Sequence, residues 1–207
     1  MTHKNPSANT DIVAEFFSEI TRDWSEASDQ EEFFEIRCLG EDQKPITQLF
    51  TINTLDQAVD LAARMNLNGL NTYMMINPIN GSTITEGKSA TDNDILRAHF
   101  SFADADDENG LKGLNKLAQS LVPDISVITG TVPCERRHDY WRLNEPCCNL
   151  ERWRRVQAEI ADQFGTDKAV INPSRIMRIA GTVAYPNAKK RAKGYVDELV
   201  SMHLRAS

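Results

Sequence analysis

The chain has 207 residues, of which 41% are hydrophobic, and a formal net charge of −7, enough for one globular core or two small ones sharing a cleft, with one domain of two lobes as the default. No apolar run approaches the roughly 18 residues of a membrane span and the polar N-terminus lacks the apolar stretch of a signal peptide, so a soluble cytoplasmic protein is expected. Four cysteines (Cys38, Cys134, Cys147, Cys148) are too few and too irregularly spaced for a disulfide framework, and the acidic balance argues against a general nucleic-acid coat.

Residues 1–9 read as a tail, and 10–24 as a helix through the spacing of Ile12, Val13, Phe16, Phe17 and Ile20. Segments 33–39 and 46–52 read as paired strands around a polar turn at 40–44. A helix over 55–65, capped by Asn53 or Thr54, and a strand over 71–77 closed by Pro78 follow. Residues 79–92 are rich in Gly, Ser, Thr and Asn and read as a loop. The second half opens with a short helical stretch at 94–98 and an apolar strand at 99–106 that ends in alternating acids. A helix over 110–121 packs Leu111, Leu114, Leu117 and Leu121. Strands at 125–128 and 138–143 and a helix over 150–164 come next. Segment 172–181 has the pattern of a short helix with Pro173 in its first turn and Gly181 as a stop, and 194–204 reads as a last strand. The mixture is α+β.

Three segments carry chemistry. Strand residues alternate faces, so Asp104 and Asp106 point the same way, Asp107 the other. Two carboxylates on one face suit Mg²⁺ or Mn²⁺, held together with the phosphates of a nucleotide. A calcium loop beginning at Asp104 is excluded, because Asn109 and Asn115 stand where glycine and glutamate are needed. A DxD glycosyltransferase site and a metal-free acidic turn remain open. On strand 138–143, His138, Tyr140 and Arg142 share a face and form a set able to bind a triphosphate, or the polar face of an exposed strand. In helical spacing Arg175 and Arg178 share a face and could contact phosphate or template. Residues 134–207 hold 14 Lys and Arg against 9 Asp and Glu, whereas 1–133 hold 9 against 21. The basic end therefore could face phosphates, with Lys189, Lys190, Arg191 and Lys193 as a basic loop on nucleic acid or only on water. Cys134, His138, Cys147 and Cys148 lack the paired knuckles of a zinc site and read as ordinary thiols.

The order of a DxD strand, a histidine strand ending in Tyr140-Trp-Arg-Leu143, and an Arg175-x-x-Arg178-x-x-Gly181-Thr182 segment resembles the archaeo-eukaryotic primase superfamily, specifically the primase-polymerase domains of plasmid and phage replication proteins. The resemblance spans roughly 30–200 and includes the strand from Phe33 to Arg37 and the Asn77-Pro78 strand end. It implies a two-lobed domain at 30–207 after a tail and helix at 1–29, with a mixed sheet and an RNA-recognition-like catalytic half. It implies that Asp104, Asp106 and a third acid, for which Asp167 is the candidate, hold Mg²⁺ or Mn²⁺. His138, Arg142, Arg175 and Arg178 would meet the nucleotide and Lys189, Lys190 and Arg191 the nucleic acid. The family's second motif usually places a small hydroxyl residue two before the histidine, and here that position is Arg136. The implied activity is DNA primase-polymerase nucleotidyl transfer on single-stranded DNA from nucleoside triphosphates, beside a helicase domain or protein. The alternatives are a metal-dependent glycosyltransferase and a non-catalytic single-strand or origin-binding module.

Overall fold

The computed structural model describes residues 6–24, 32–41, 43–84 and 88–206. Residues 1–5 of the expected tail, and the boundary expected at 29/30, lie outside the described residues. Asn9 caps the first helix, α1 (Thr10–Thr21), by accepting from the backbone N–H groups of Asp11 and Ile12, and the helix buries Val13, Phe16, Phe17 and Ile20. Each of these side chains contributes about 1.5–3 kcal/mol by leaving water. Strand β1 (Glu32–Leu39) pairs with β2 (Ile46–Phe50), and after α2 (Leu55–Leu67) with β3 (Asn71–Met75), all antiparallel. The segment expected as a plain loop contributes a two-residue strand, β4 (Ile79–Asn80), on the far end of β1.

The second sheet begins with β5 (Ala98–Ala105), followed by α3 (Glu108–Ala118), β6 (Ile125–Gly130), β7 (Arg136–Cys147) and α4 (Leu150–Phe164). Asn149 accepts from the Arg152 N–H at the start of α4, and Gly165 closes it in the left-handed region at φ 67°, so both ends fall where expected. Then come β8 (Ile176–Arg178), β9 (Val183–Ala184), a short helix α5 (Ala188–Arg191), β10 (Glu198–Leu199) and β11 (Ser201–Leu204). The first sheet runs β2-β1-β3-β8 and the second β11-β6-β7-β5, with β9 and β10 paired apart from both. The resemblance implied a mixed sheet; every pairing between the described strands is antiparallel. The order β5-α3-β6-β7-α4 is strand-helix-strand-strand-helix, and Leu114 and Leu117 of α3 pack with Ile160 and Phe164 of α4 over Ala103, Ala105 and Trp141. The main core joins the two sheets, with Phe34 and Met74 of the first packed in one cluster with Phe100, Phe102 and Tyr140 of the second.

Several expected elements differ. Residues 94–98 form no helix: a single 3₁₀ turn covers Asp92–Asp94, and Ala98 already belongs to β5. The helix expected at 110–121 starts earlier, where Asp107 caps it through the N–H groups of Asn109 and Gly110, and leaves Leu121 52% exposed beyond its end. Segment 172–181 is a strand rather than a helix. Three residues of β8 add to β3 in the register Tyr73↔Arg178, Met74↔Met177 and Met75↔Ile176, and sheet pairing overrides the helical spacing. Gly181 does end the segment, at φ 82°, but by tucking under α1, where a β-carbon would lie 2.6 Å from the Asn9 carbonyl oxygen. The basic loop is the helix α5, and the last strand is two, because Val200 turns its backbone N–H to the Thr182 carbonyl.

Candidate active site

The face of β5 that carries Phe100 and Phe102 into the core ends on Asp104, which is why this carboxylate is sheltered at the base of a cleft. β7 runs beside it with Phe100 opposite Arg142, Phe102 opposite Tyr140 and Asp104 opposite His138. The shared face expected for His138, Tyr140 and Arg142 is therefore real, yet it spans about 13 Å of strand at 3.3 Å per residue. Only His138 reaches the cleft; Tyr140 is fully buried against Phe100 and Phe102. Arg142 is turned to α1, bonded to Asp23 Oδ2 at 2.5 Å and the Glu19 carbonyl at 2.8 Å, and does not line the cleft.

β5 is an edge strand whose outward carbonyls are covered in series. Trp153 Nε1 donates to the Phe100 carbonyl at 2.8 Å, Gln157 Nε2 to that of Phe102 at 2.7 Å, and the Asp167 N–H to that of Asp104 at 2.9 Å. A helix thus covers the open edge, and the turn after it delivers Asp167 beside Asp104. Asp106 follows the strand end and is exposed at the mouth, with Lys190 Nζ 3.9 Å from its Oδ2.

The cleft, about 390 Å³, is lined by Asp104, Asp106 and Asp167 together with His138, Arg175, Arg178 and Lys190. Lys189 and Arg191 lie outside it on the exposed side of α5, Arg191 in an ion pair with Asp197. Arg178 is oriented by Asn71 Oδ1 at 2.5 Å and Tyr73 Oη at 2.9 Å, with its guanidinium 4.8 Å from the Tyr73 ring centre. Arg136 also lines the cleft, as does Thr129, which the linear motifs did not indicate. Arg136 stands where the family's hydroxyl residue was expected, and it is engaged: its guanidinium bonds the carbonyls of Val132 and Cys134 and Glu198 Oε2, and stacks on Tyr195. Thr129 Oγ1, on the neighbouring strand, puts a hydroxyl close by, 3.4 Å from the Arg136 carbonyl.

Burial and like charge shape the protonation of the cleft's acids and of His138. Burial, then the negative charges of Asp106 and Asp167, push the Asp104 carboxyl up to about 8, against the opposing pull of Lys190 and Arg175. Its Oδ1 is buried without a hydrogen-bond partner, 3.5 Å from His138 Nε2. Burial, then Arg178, push His138 down to about 3, so the imidazole is neutral. Among the described residues no three His, Cys, Asp or Glu side chains already close around a common metal position. An open pair or trio of carboxylates facing arginine and lysine suits Mg²⁺ or Mn²⁺, which complete their shells with water and substrate phosphate rather than with protein alone. Cys134 and Cys147 lie at opposite ends of β7, and all four cysteines are free thiols.

No protein-family model and no curated protein matches the chain. Among solved structures, the fold is similar to the AEP domain of the primase-polymerase of cyanophage S-2L, with a TM-score of 0.64 and 20% identity over 96% of this chain and 91% of that one. It is similar also to primase RepB′, with a TM-score of 0.59 and 15% identity over 94% of this chain and 56% of that one. The catalytic domain of RepB′ in complex with initiator DNA gives a TM-score of 0.58 and 14% identity, covering 96% and 84%. Among the described residues no helix is long and apolar enough to cross a membrane.

Proposed function

On the archaeo-eukaryotic primase fold that this chain adopts, we propose that the cleft carries out template-directed, divalent-metal-dependent nucleotidyl transfer, so that the protein makes or extends primers on single-stranded DNA. The observation that carries the reading is the pairing of Asp104 with His138 across β5 and β7, with Asp106 and Asp167 beside them and Arg175 and Lys190 in the same cleft. Acids alone would suit many cations, and bases alone many anions. Both within one cleft suit a metal-bound triphosphate.

Asp104, Asp106 and Asp167 would hold Mg²⁺ or Mn²⁺. A metal bound there would supply the positive charge needed to activate a 3′-hydroxyl and to neutralise a departing pyrophosphate. Arg175 and Lys190 would draw the phosphates in. Neutral His138 would offer a phosphate oxygen a hydrogen bond without competing with the metal for the carboxylates. Arg178, held by Asn71 and Tyr73, contributes a fixed positive charge at the same wall. Exposed Lys189 on α5 would meet the DNA backbone, with Lys190 reaching from that helix into the cleft. The resemblance in fold supports placing this activity in the replication of a plasmid or phage, in the cytoplasm and beside a helicase domain or protein.

The test is incorporation of labelled nucleotides on single-stranded DNA with Mg²⁺ and with Mn²⁺, beside Asp104→Ala/Asp106→Ala. Metal-dependent incorporation by the wild type and a loss of at least about a hundredfold in the double variant are expected. Equal incorporation by both would rule out this site, and turnover of a nucleotide-sugar without template would replace the reading with glycosyl transfer.

A further inference from the structure

Among the described residues, Arg175 is the cleft arginine whose side chain forms no hydrogen bond and no ion pair, only a longer-range pull on Asp104. Its Nε is buried with no hydrogen-bond partner, and among the described residues no carboxylate forms an ion pair with it. A long, unpaired guanidinium beside three acids needs something other than its own contacts to set where it enters. The backbone just before it supplies that. The turn 172–174 closes with the Arg175 N–H on the Asn172 carbonyl at 3.2 Å, and it is gripped from two sides.

On one side, buried Asn77 donates to the Pro173 carbonyl at 3.0 Å. On the other, Asp92 Oδ1 accepts from the Ser174 N–H at 3.1 Å, the Ser174 hydroxyl at 2.6 Å and Asn172 Nδ2 at 3.4 Å. Asp92 Oδ2 faces Arg154 Nη2 at 2.7 Å. Asp92 does not line the cleft, and it comes from a segment of the chain 82 residues earlier than Ser174. That segment is itself braced. Asp94 receives the Thr83 hydroxyl at 2.7 Å and the Thr91 N–H and hydroxyl at 2.8 and 2.7 Å, and the Leu96 N–H bonds the Pro78 carbonyl at 3.0 Å. This local bonding fixes the loop that carries Asp92. Its result is a carboxylate held on one turn, and that turn leads directly into Arg175.

We propose that Asp92 is a positioning residue for Arg175: by fixing the 172–174 turn it sets the guanidinium in the cleft for the phosphates of the bound nucleotide, a role that rests on the nucleotide reading of the site. Asp92 touches no reacting atom and acts only through the turn. The hydrogen bonds that matter run to one oxygen, so Asp92→Asn can keep them while removing the charge, whereas Asp92→Ala cannot.

Two measurements separate the parts. Calorimetric binding of dATP with Mg²⁺ should weaken about tenfold in Asp92→Ala, the order of one lost charged hydrogen bond between Arg175 and phosphate, and stay within about twofold of wild type in Asp92→Asn, which keeps the turn. Adding Asp92→Ala to Arg175→Ala should cost nothing further. Independently of nucleotide, the ¹⁵N Nε–Hε signal of Arg175, identified by its absence in Arg175→Lys, should shift in Asp92→Ala and hold its place in Asp92→Asn. An unmoved Arg175 signal, full additivity of the two alanine variants, or a lower thermal midpoint with unchanged dATP affinity overturns the positioning role. A wild type that binds no dATP, with the Arg175 signal still governed by Asp92, overturns the nucleotide reading and leaves the positioning intact.

Discussion

Arg142→Ala separates packing from chemistry, because its guanidinium carries the charge expected at a nucleotide site but faces α1. Replacing it removes the ion pair to Asp23, whose side chain is 45% exposed, and the bond to the Glu19 carbonyl at 2.8 Å. It also removes a guanidinium lying 4.6 Å from the Phe100 ring centre. A partly exposed ion pair contributes under about 1 kcal/mol, a hydrogen bond to a backbone carbonyl about 1 kcal/mol and the cation–π contact about 0.5–1 kcal/mol. Together the loss is about 2 kcal/mol, a fall of about 4–8 °C in thermal midpoint for a chain of this size. Calorimetric melting should show that fall while dATP affinity with Mg²⁺ stays unchanged. Arg175→Ala should do the reverse, melting within about 2 °C of wild type and binding dATP about 10- to 100-fold more weakly. An Arg142→Ala protein that melts like wild type and loses nucleotide would return Arg142 to the site and refute this division.

Gly113 tests the packing of α3 on the end of α4. A β-carbon there would sit 1.7 Å from the Phe164 carbonyl oxygen, so Gly113→Ala should push the helices apart and lower urea-unfolding stability by about 1–3 kcal/mol; an unchanged midpoint would contradict the close approach. His99 gives the fold an acid limit. Burial, then the neighbouring Arg97, push it down to about 4. Between pH 6.5 and 4 the unfolded chain binds a proton that the folded one refuses, so this contribution to stability is whole above pH 6.5 and is lost as the pH falls through 4, in total about 3 kcal/mol. Urea unfolding at pH 7 and pH 4.5 should show a smaller acid loss in His99→Phe than in wild type, and equal losses would remove His99 as the cause.

Where local chemistry and tertiary need agree, the sequence is readable. The helix α4 begins at an asparagine cap and ends on a left-handed glycine, and both signals are written in neighbouring residues. The pairing of Asp104 with His138 was readable only as two motifs, since the register that sets them opposite each other belongs to β5 and β7 together. The segment 172–181 shows the opposite case. Its spacing is helical, but the exposed edge of β3 offers Met177 a buried position and the backbone a partner, and a three-residue strand results. The shared face of His138, Tyr140 and Arg142 was foreseen, but not that the core would take its middle and α1 its far end. Asp167 was indicated only by the resemblance, as an acid shortly before the Arg175 segment, and nothing in its own neighbourhood says what it would meet. It comes beside Asp104 because an open sheet edge needs its third carbonyl covered, a requirement that exists only once the strand and the helix are packed. Asp92 was silent for the same reason, since its partner turn lies more than 80 residues away along the chain.

The most direct test of the site is a crystal of the protein soaked with a non-hydrolysable nucleoside triphosphate and Mn²⁺, read by anomalous scattering. Manganese bonded to Asp104 and Asp106, with the triphosphate lying against Arg175 and Lys190, is the expected result. Manganese elsewhere, or a triphosphate bound away from these acids, would contradict the assignment of the cleft.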